Sequence, residues 1–594
     1  MLAGLWALVR SALGAMGGYE RLWLFGGLPQ SRFTSMAMLT GTLRLRGGLA
    51  HVGHDEQVFN GAAYTNWGFG VPLLELPFHA VARHLARYPS KFFPDRAIYF
   101  FYLLLLLPLL WAAFDKLLAR RGQGGGSRLG RHALSWSATL LVLTCALYPV
   151  MSCRFLIYEE TVAYLTVFEL LAVSAYVFAR DSWSAPSVAA IAAAAGMGLL
   201  IRPTGFGYMG VWGLLVLLEA RRARPVAVFA AAAAPFVGFW LYSNWVRSGS
   251  PVSFGLGNSL PWFPYHTPLL RFGSRCADTA GHALETATLL FRGFFVTLND
   301  PPAPLPPLYG AAPLPPPDPW TKRCHFEWEA RSPDAQSFHL DPFLGIAVLG
   351  VLVWILARHL ARRDRRPAVY VPFLAMAVMF AGYVASAAGF SWRYAADFWP
   401  LIVLAAVHHV RALRPEANRA LGLPLALALG ATSVACYART IEPAVSTLDM
   451  YDPNGPKTTP AAMWDDFEKA RNDKDGALPS RYKCGDPAPW PFHNGQGWKA
   501  DCTVDTFTNL FLGIPAKGRD YRYLLKLTTT GMSASTLRVY VNGGIYTAQR
   551  DGEGYWLVVP IHRERFTSPI VMTTIEWTRE LEPQGGRLLS VELS

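Results

Sequence analysis

The sequence predicts a polytopic α-helical membrane protein carrying an extracytoplasmic β-sandwich domain at its C-terminal end. Three observations predict it. Hydrophobic residues make up 52% of the 594 positions and charged residues 16%, against about 25% charged in soluble domains. The basic residues gather in short stretches between apolar runs, in KLLARRGQGGGSRLGR (116–131), EARRAR (219–224), ARHLARRDRR (357–366) and RALRPEANR (411–419), as in cytoplasmic loops under the positive-inside rule. The last part of the chain changes to short alternating apolar-polar segments. The net charge of +13 follows from those loop clusters, so it points to topology and away from a nucleic-acid partner.

In order along the chain, apolar runs suited to spans lie at 3–26, 97–116, 133–152, 161–179, 186–201, 204–220, 225–246, 343–360, 367–388, 397–413 and 420–437, about 11 transmembrane helices. The first is interrupted by Arg10, Glu20 and Arg21; counting it places every strongly basic loop on one side. The N-terminus is then cytoplasmic, with no cleavable signal peptide evident. Residues 27–96, 153–160, 247–342, 389–396 and 438–594 face the other side. Several runs are shorter than the ~20 residues of a straight crossing, notably the pair around Pro203. The chain thus divides into a transmembrane unit, 1–437, with a first outer loop at 27–96 and a large one at 247–342, and an extracytoplasmic β-rich domain, 438–594. The proline-rich stretch 299–322 reads as an extended loop, and no internal repeat is evident.

The tail's strand signals are RYLLKLTTT, STLRVYVNGGIYTAQ, GYWLVVPI, PIVMTTIEW and RLLSVEL. VYV-NGG-IYT is a hairpin with Asn-Gly at the turn, where positive φ is cheap. Cys484 and Cys502 share this domain, and Cys276 and Cys324 share the large outer loop. Each pair is a disulfide candidate in an extracytoplasmic setting. Trp490, Trp498 and Trp556 are candidates for glycan contact or for the domain core.

The chemistry is expected at the outer boundary. In GHDEQVFNGAAYTNWGFGVPLLELPFHAV (53–81), Asp55 and Glu56 lie between His54 and the aromatics Tyr64 and Trp67. A carboxylate shielded from water can serve as a general base; the plainer reading is a loop pair capping a short helix through EQVFNGAAY. RFLIYEETVAYL sets Glu159 and Glu160 at the outer start of a span. GLLIRPTGFGY sets Arg202 between two short runs. GFSWRYAADFWP sets Arg393, Tyr394 and Asp397 at a third boundary. Arginine suits a phosphate because its planar fork donates two hydrogen bonds at once. Set against this, Arg202 could snorkel and Arg393 could pair with Asp397 for structure alone.

Four of these stretches together resemble the GT-C superfamily of polytopic glycosyltransferases, near the protein O-mannosyltransferases and the aminoarabinose-to-lipid-A transferase. They are QSRFTSMAMLTGTLRL with HDEQVFNGAAYTNWGFGVPLLELPF, then LLIRPTG, YSNWVRSGSPVSFG and WRYAADFWP, in matching order over residues 20–415. The sequence departs from the family where an acid follows the first span: Gln30-Ser31-Arg32-Phe33 stands there. The base is then Asp55, with Glu56, Glu159 or Glu160 as alternatives.

The resemblance implies transfer of a sugar from a polyprenyl-phosphate carrier to a glycan, lipid or protein acceptor on the outer face. Arg393 and Arg202 would hold the carrier phosphate and Asp55 or Glu56 would accept the acceptor's proton. His54, Tyr64, Trp67, Glu159, Glu160, Tyr394 and Asp397 would line the substrate site. The alternatives are an envelope glycan ligase or polymerase, a transporter or flippase of a lipid-linked substrate, and a scaffold with a glycan-binding tail. No metal site is assigned and no cofactor is certain; His51, His54, Asp55 and Glu56 could bind a divalent metal. The Ala-, Arg- and Gly-rich usage points to a bacterial plasma membrane.

Overall fold

The computed structural model describes residues 30–45, 56–59, 62–65, 67–84, 93, 95–119, 128–151, 157–252, 342–361, 366–386, 396–412, 480–485, 496–498, 501–513, 521–531, 536–541, 544–552, 554–561, 570–576 and 587–594. The expected spans at 3–26 and 420–437 lie outside them.

The helical part opens with α1 (Gln30–Leu39), a two-stranded hairpin of β1 (Glu56–Phe59) and β2 (Ala62–Thr65), and α2 (Gly70–His84). Six helices follow with short connections: α3 (Asp95–Ala119), α4 (Arg128–Met151), α5 (Ile157–Ala179), α6 (Ala185–Ile201), α7 (Thr204–Ala220) and α8 (Ala223–Ser248). Then come α9 (Pro342–Ala361), a 3-10 turn at Pro367–Val369, α10 (Val371–Ser386) and α11 (Trp399–Ala412). Nine of the eleven expected spans therefore coincide with helices.

Among the described residues, three helical stretches are long and apolar enough to cross a membrane: Asp95–Ala119, Glu160–Ala179 and Ala223–Ser248. Helices α6 and α7 have 17 residues each, about 25 Å at 1.5 Å per residue. That falls short of a hydrocarbon layer about 30 Å thick. Arg202 and Pro203 separate them, and Pro203 opens α7 where a missing N–H costs nothing. The Ala- and Gly-rich face of α6 admits close neighbours, and Ile191, Ala192, Ala195 and Ile201 are fully buried. At Gly70 a Cβ would lie 2.5 Å from the Ile201 side chain, so α2 meets the end of α6 at a distance only glycine allows.

The short connections make consecutive helices antiparallel. One end of the bundle collects Asp95, Glu160, Arg202 and Arg247; the other collects Lys116, Arg180 and Glu219. The second end is laced by Lys116–Asp181 at 2.9 Å, Arg131–Asp115 at 3.0 Å and Arg180–Glu219 at 2.5 Å. Aromatic contacts join the helices between, such as Tyr99 against Tyr164 at 5.1 Å. Trp399 Nε1 donates to the Val142 carbonyl at 3.0 Å.

Two expectations are corrected. The helix through EQVFNGAAY is instead the β1–β2 hairpin, with Phe59 paired to Ala62. Asn60-Gly61 stands between the two strands in the sequence, a pair that hairpin connections favour. The tail's sandwich of two sheets is instead one antiparallel sheet in the order β3-β11-β6-β9-β8-β7-β10-β5-β4. Its strands are β3 (Arg481–Lys483), β4 (Gln496–Trp498), β5 (Val504–Gly513), β6 (Tyr521–Thr530), β7 (Thr536–Val541), β8 (Gly544–Asp551), β9 (Gly554–Ile561), β10 (Ile570–Glu576) and β11 (Arg587–Leu593). A bridge between Thr503 and Arg587 brings the start of β5 to β11, so the sheet rolls back on itself and buries Leu525, Leu527, Val539, Ala548 and Val591.

Cys484 and Cys502 form a disulfide, as expected from sequence. It ties the end of β3 to the approach to β5 across a sequence separation of 18. Closing a loop of that length contributes about 3 kcal/mol. The double variant Cys484→Ser/Cys502→Ser is expected to fold with its β-domain transition weakened by about 2–4 kcal/mol, measured by denaturant unfolding of the whole chain.

Candidate functional site

Building from the backbone, α1 is fixed to α2 by Ser35, whose hydroxyl donates to the Pro72 carbonyl at 2.9 Å and the Ser31 carbonyl at 3.0 Å. That contact directs fully buried Arg32 towards Asp95, the first residue of α3, with Nε 3.3 Å from Oδ2. On α2, Glu75 and His79 are one turn apart and therefore share a face. The His79 Nε2 lies 3.5 Å from Glu75 Oε2, and the Phe93 amide donates to His79 Nδ1 at 3.2 Å. Glu160, at the start of α5, hydrogen-bonds through its side chain to Glu75.

The result is a dry cluster. Glu75 and His79 are 0% exposed, Asp95 and Glu160 2%. Burial, reinforced by Asp95, pushes the Glu75 carboxyl up to about 8, because a low-dielectric setting penalises the charged form. Burial likewise lowers His79 to about 4. Arg32 opposes this rise at Glu75, while Asp95 adds to it.

A second pair sits beside it. Arg202, at the end of α6, places Nε 3.2 Å from Asp397 Oδ2, in the turn before α11. Its Nη1 donates to the Thr161 hydroxyl at 3.4 Å. Thr161 is the neighbour of Glu160, so the two groups are contiguous along α5. The Tyr208 hydroxyl donates to the Asp397 carbonyl at 2.5 Å and fixes the turn that carries the acid. In the third element, Arg247 near the end of α8 donates to the Thr65 carbonyl at 3.3 Å and the Trp67 carbonyl at 2.8 Å. Asn244 Oδ1 orients that guanidinium at 2.6 Å from Nη2.

Of the residues expected from sequence, Arg202, Asp397 and Glu160 come together at one end of the bundle. Arg202 pairs with Asp397, a partner the sequence reading had offered to Arg393. Tyr64 is buried and Trp67 is half-buried, both beside the strand or loop that Arg247 holds. Glu56 pairs by backbone with Thr65 in the hairpin, and Glu159 lies in α5. His51, His54, Asp55, Arg393, Tyr394, Cys276 and Cys324 lie outside the described residues.

The sequence reading missed Arg32, Glu75, His79 and Asp95. The signal was an isolated Glu four residues before a His in the apolar run VPLLELPFHAV, where a charge without a partner is costly. It also missed Glu169, fully buried midway along α5, whose Oε2 accepts from Trp212 Nε1 at 2.7 Å.

Breaking one partner of a buried ion pair costs about 3–5 kcal/mol, while replacing both by apolar groups costs far less. Arg202→Met is therefore expected to destabilise the protein by that amount. Adding Asp397→Leu is expected to restore most of it. Thermal unfolding of the two single variants and the double variant in detergent checks this; equal losses that simply add would contradict the pairing.

No family model matches the chain, and no curated protein matches it. Among solved structures, arabinosyltransferase EmbB from Mycobacterium smegmatis matches with 11% identity and a TM-score of 0.29, over 99% of this chain and 64% of that one. This chain thus covers a little under two thirds of that structure's length.

Proposed function

We propose that the protein is an integral-membrane glycosyltransferase of GT-C type, moving a sugar from a polyprenyl-phosphate carrier to an acceptor on the extracytoplasmic face. One observation carries the reading: arginine, carboxyl and threonine side chains from separate parts of the chain converge at one end of an apolar helical bundle, with Arg202 on Asp397 and Thr161 beside Glu75 and Glu160. Ionisable groups at a bilayer boundary are expensive to keep, and they mark reaction or transport sites more often than packing.

In this reading Arg202 and Arg393 bind the carrier phosphate. The acceptor hydroxyl attacks the anomeric carbon, the bond from that carbon to the phosphate oxygen breaks, and charge grows on the leaving phosphate. A guanidinium already in position stabilises that charge without reorganising. The acceptor's proton goes to Asp55, with Glu56 as the alternative. Glu160 is buried and bonded to Glu75, which supports a structural role for it rather than that of the base. The hairpin carrying Glu56 is held by Arg247, a fixed mounting of the kind a positioned base requires.

A second reading, transport of a lipid-linked substrate, is favoured by Glu169 at the middle of a span. Its bond to Trp212 supplies an ordinary packing role for that carboxyl, so the transferase reading is preferred.

Reconstituted protein supplied with radiolabelled polyprenyl-phosphate sugars is expected to release sugar to an acceptor. Arg393→Ala and Asp55→Asn, both folded, are expected to lower turnover at least 100-fold. Turnover that survives Asp55→Asn but not Glu56→Gln would move the base. Lipid movement across vesicles without sugar release would replace the transferase by a flippase.

A further inference from the structure

Three donor side chains in the buried cluster have the composition of a cation site. Glu75, His79 and Asp95 each bring one ligand atom within 4.8 Å of the others, and all three are buried. The Glu75–His79 separation of 3.5 Å is close to the edge of a tetrahedron around a metal bound at about 2.1 Å. Glu75 is fully buried, with Ser31 and Glu160 as its side-chain neighbours. Glu160 stands next to Glu75 as a further oxygen donor.

The charges agree with this. Glu75, Asp95 and Glu160 crowd together in a setting where a carboxylate without a partner is costly, and Arg32 is the cation that acts on Glu75. A divalent ion held among these carboxyls offsets their mutual repulsion. We infer that Glu75, His79 and Asp95 form a binding site for a divalent transition-metal cation, Mn2+ or Zn2+. The imidazole selects these ions over Mg2+ and Ca2+, which prefer all-oxygen shells.

The imidazole also sets a condition on loading. While Nδ1 accepts from the Phe93 amide, the neutral ring carries its proton on Nε2, the atom facing Glu75. Binding a cation at Nε2 moves that proton to Nδ1, so the Phe93 amide must release the ring. One hydrogen bond is lost and three metal bonds are gained. The site does not depend on the transferase reading, and its test needs no donor sugar.

The test uses full-length, tag-free protein purified in detergent without chelator. Elemental analysis is expected to find about one Mn or Zn per chain. After stripping, added Mn2+ is expected to raise the midpoint of thermal unfolding by several degrees. Mn2+ is the cleaner probe because cysteine thiols favour Zn2+. Glu75→Gln and His79→Asn are expected to lose the metal and the shift, while His54→Ala keeps both. Absence of metal together with no Mn2+ shift in the wild type overturns the inference, whether or not the variants fold. So does full metal content in Glu75→Gln, or loss of metal in His54→Ala, which would move the site to the His51–Glu56 stretch.

Discussion

The structure depends on one constraint: a charge placed inside an apolar bundle must find its opposite within the bundle. Arg32 reaches Asp95 and Arg202 reaches Asp397. Neither pair joins neighbours in sequence; each fastens segments that the chain brings together only when folded. The attraction of such a pair barely offsets what it costs to take both ions out of water. What it supplies is discrimination, because a bundle with a helix rotated or slipped would bury each charge alone.

The same constraint acts differently at the opposite end. There Lys116–Asp181 and Arg131–Asp115 stand partly open to solvent, where an ion pair contributes little to stability. Deeper in, Arg180 and Glu219 approach His408, whose Nε2 lies 3.3 Å from the Tyr176 hydroxyl. The bundle therefore has a dry polar group at one end and a graded, partly wet one at the other. Glu75, His79 and Asp95 gather within the first of these.

Much of the helical frame was legible because it rests on a one-dimensional property. Apolar runs and basic loops located nine helices to within a few residues, and alternation located strands β6 to β11. The short β3 and β4 carry too few residues for a period to show. The hairpin was misread although Asn60-Gly61 marked it, because an acid at the start of EQVFNGAAY also suits a helix terminus. At the site, Arg202 and Asp397 were visible as polar residues at span boundaries. Their pairing was not, since it joins residues nearly two hundred positions apart. Glu75 and His79 were hidden inside an apolar segment whose hydrophobicity dominated its reading, and Asp95 and Arg32 acquire meaning only from each other.

Arg247 reaches back across 182 positions to hold the Thr65 carbonyl, which has a consequence for biosynthesis. Chains emerge at about 5–20 residues per second, so this clasp arrives on the order of ten to forty seconds after the hairpin it secures. Through that interval the segment bearing the candidate base has been made but has not been fastened by α8. The order of assembly thus runs opposite to the order of synthesis: the β1–β2 hairpin is translated before α8 and is fastened only after the helices through α8 have been made.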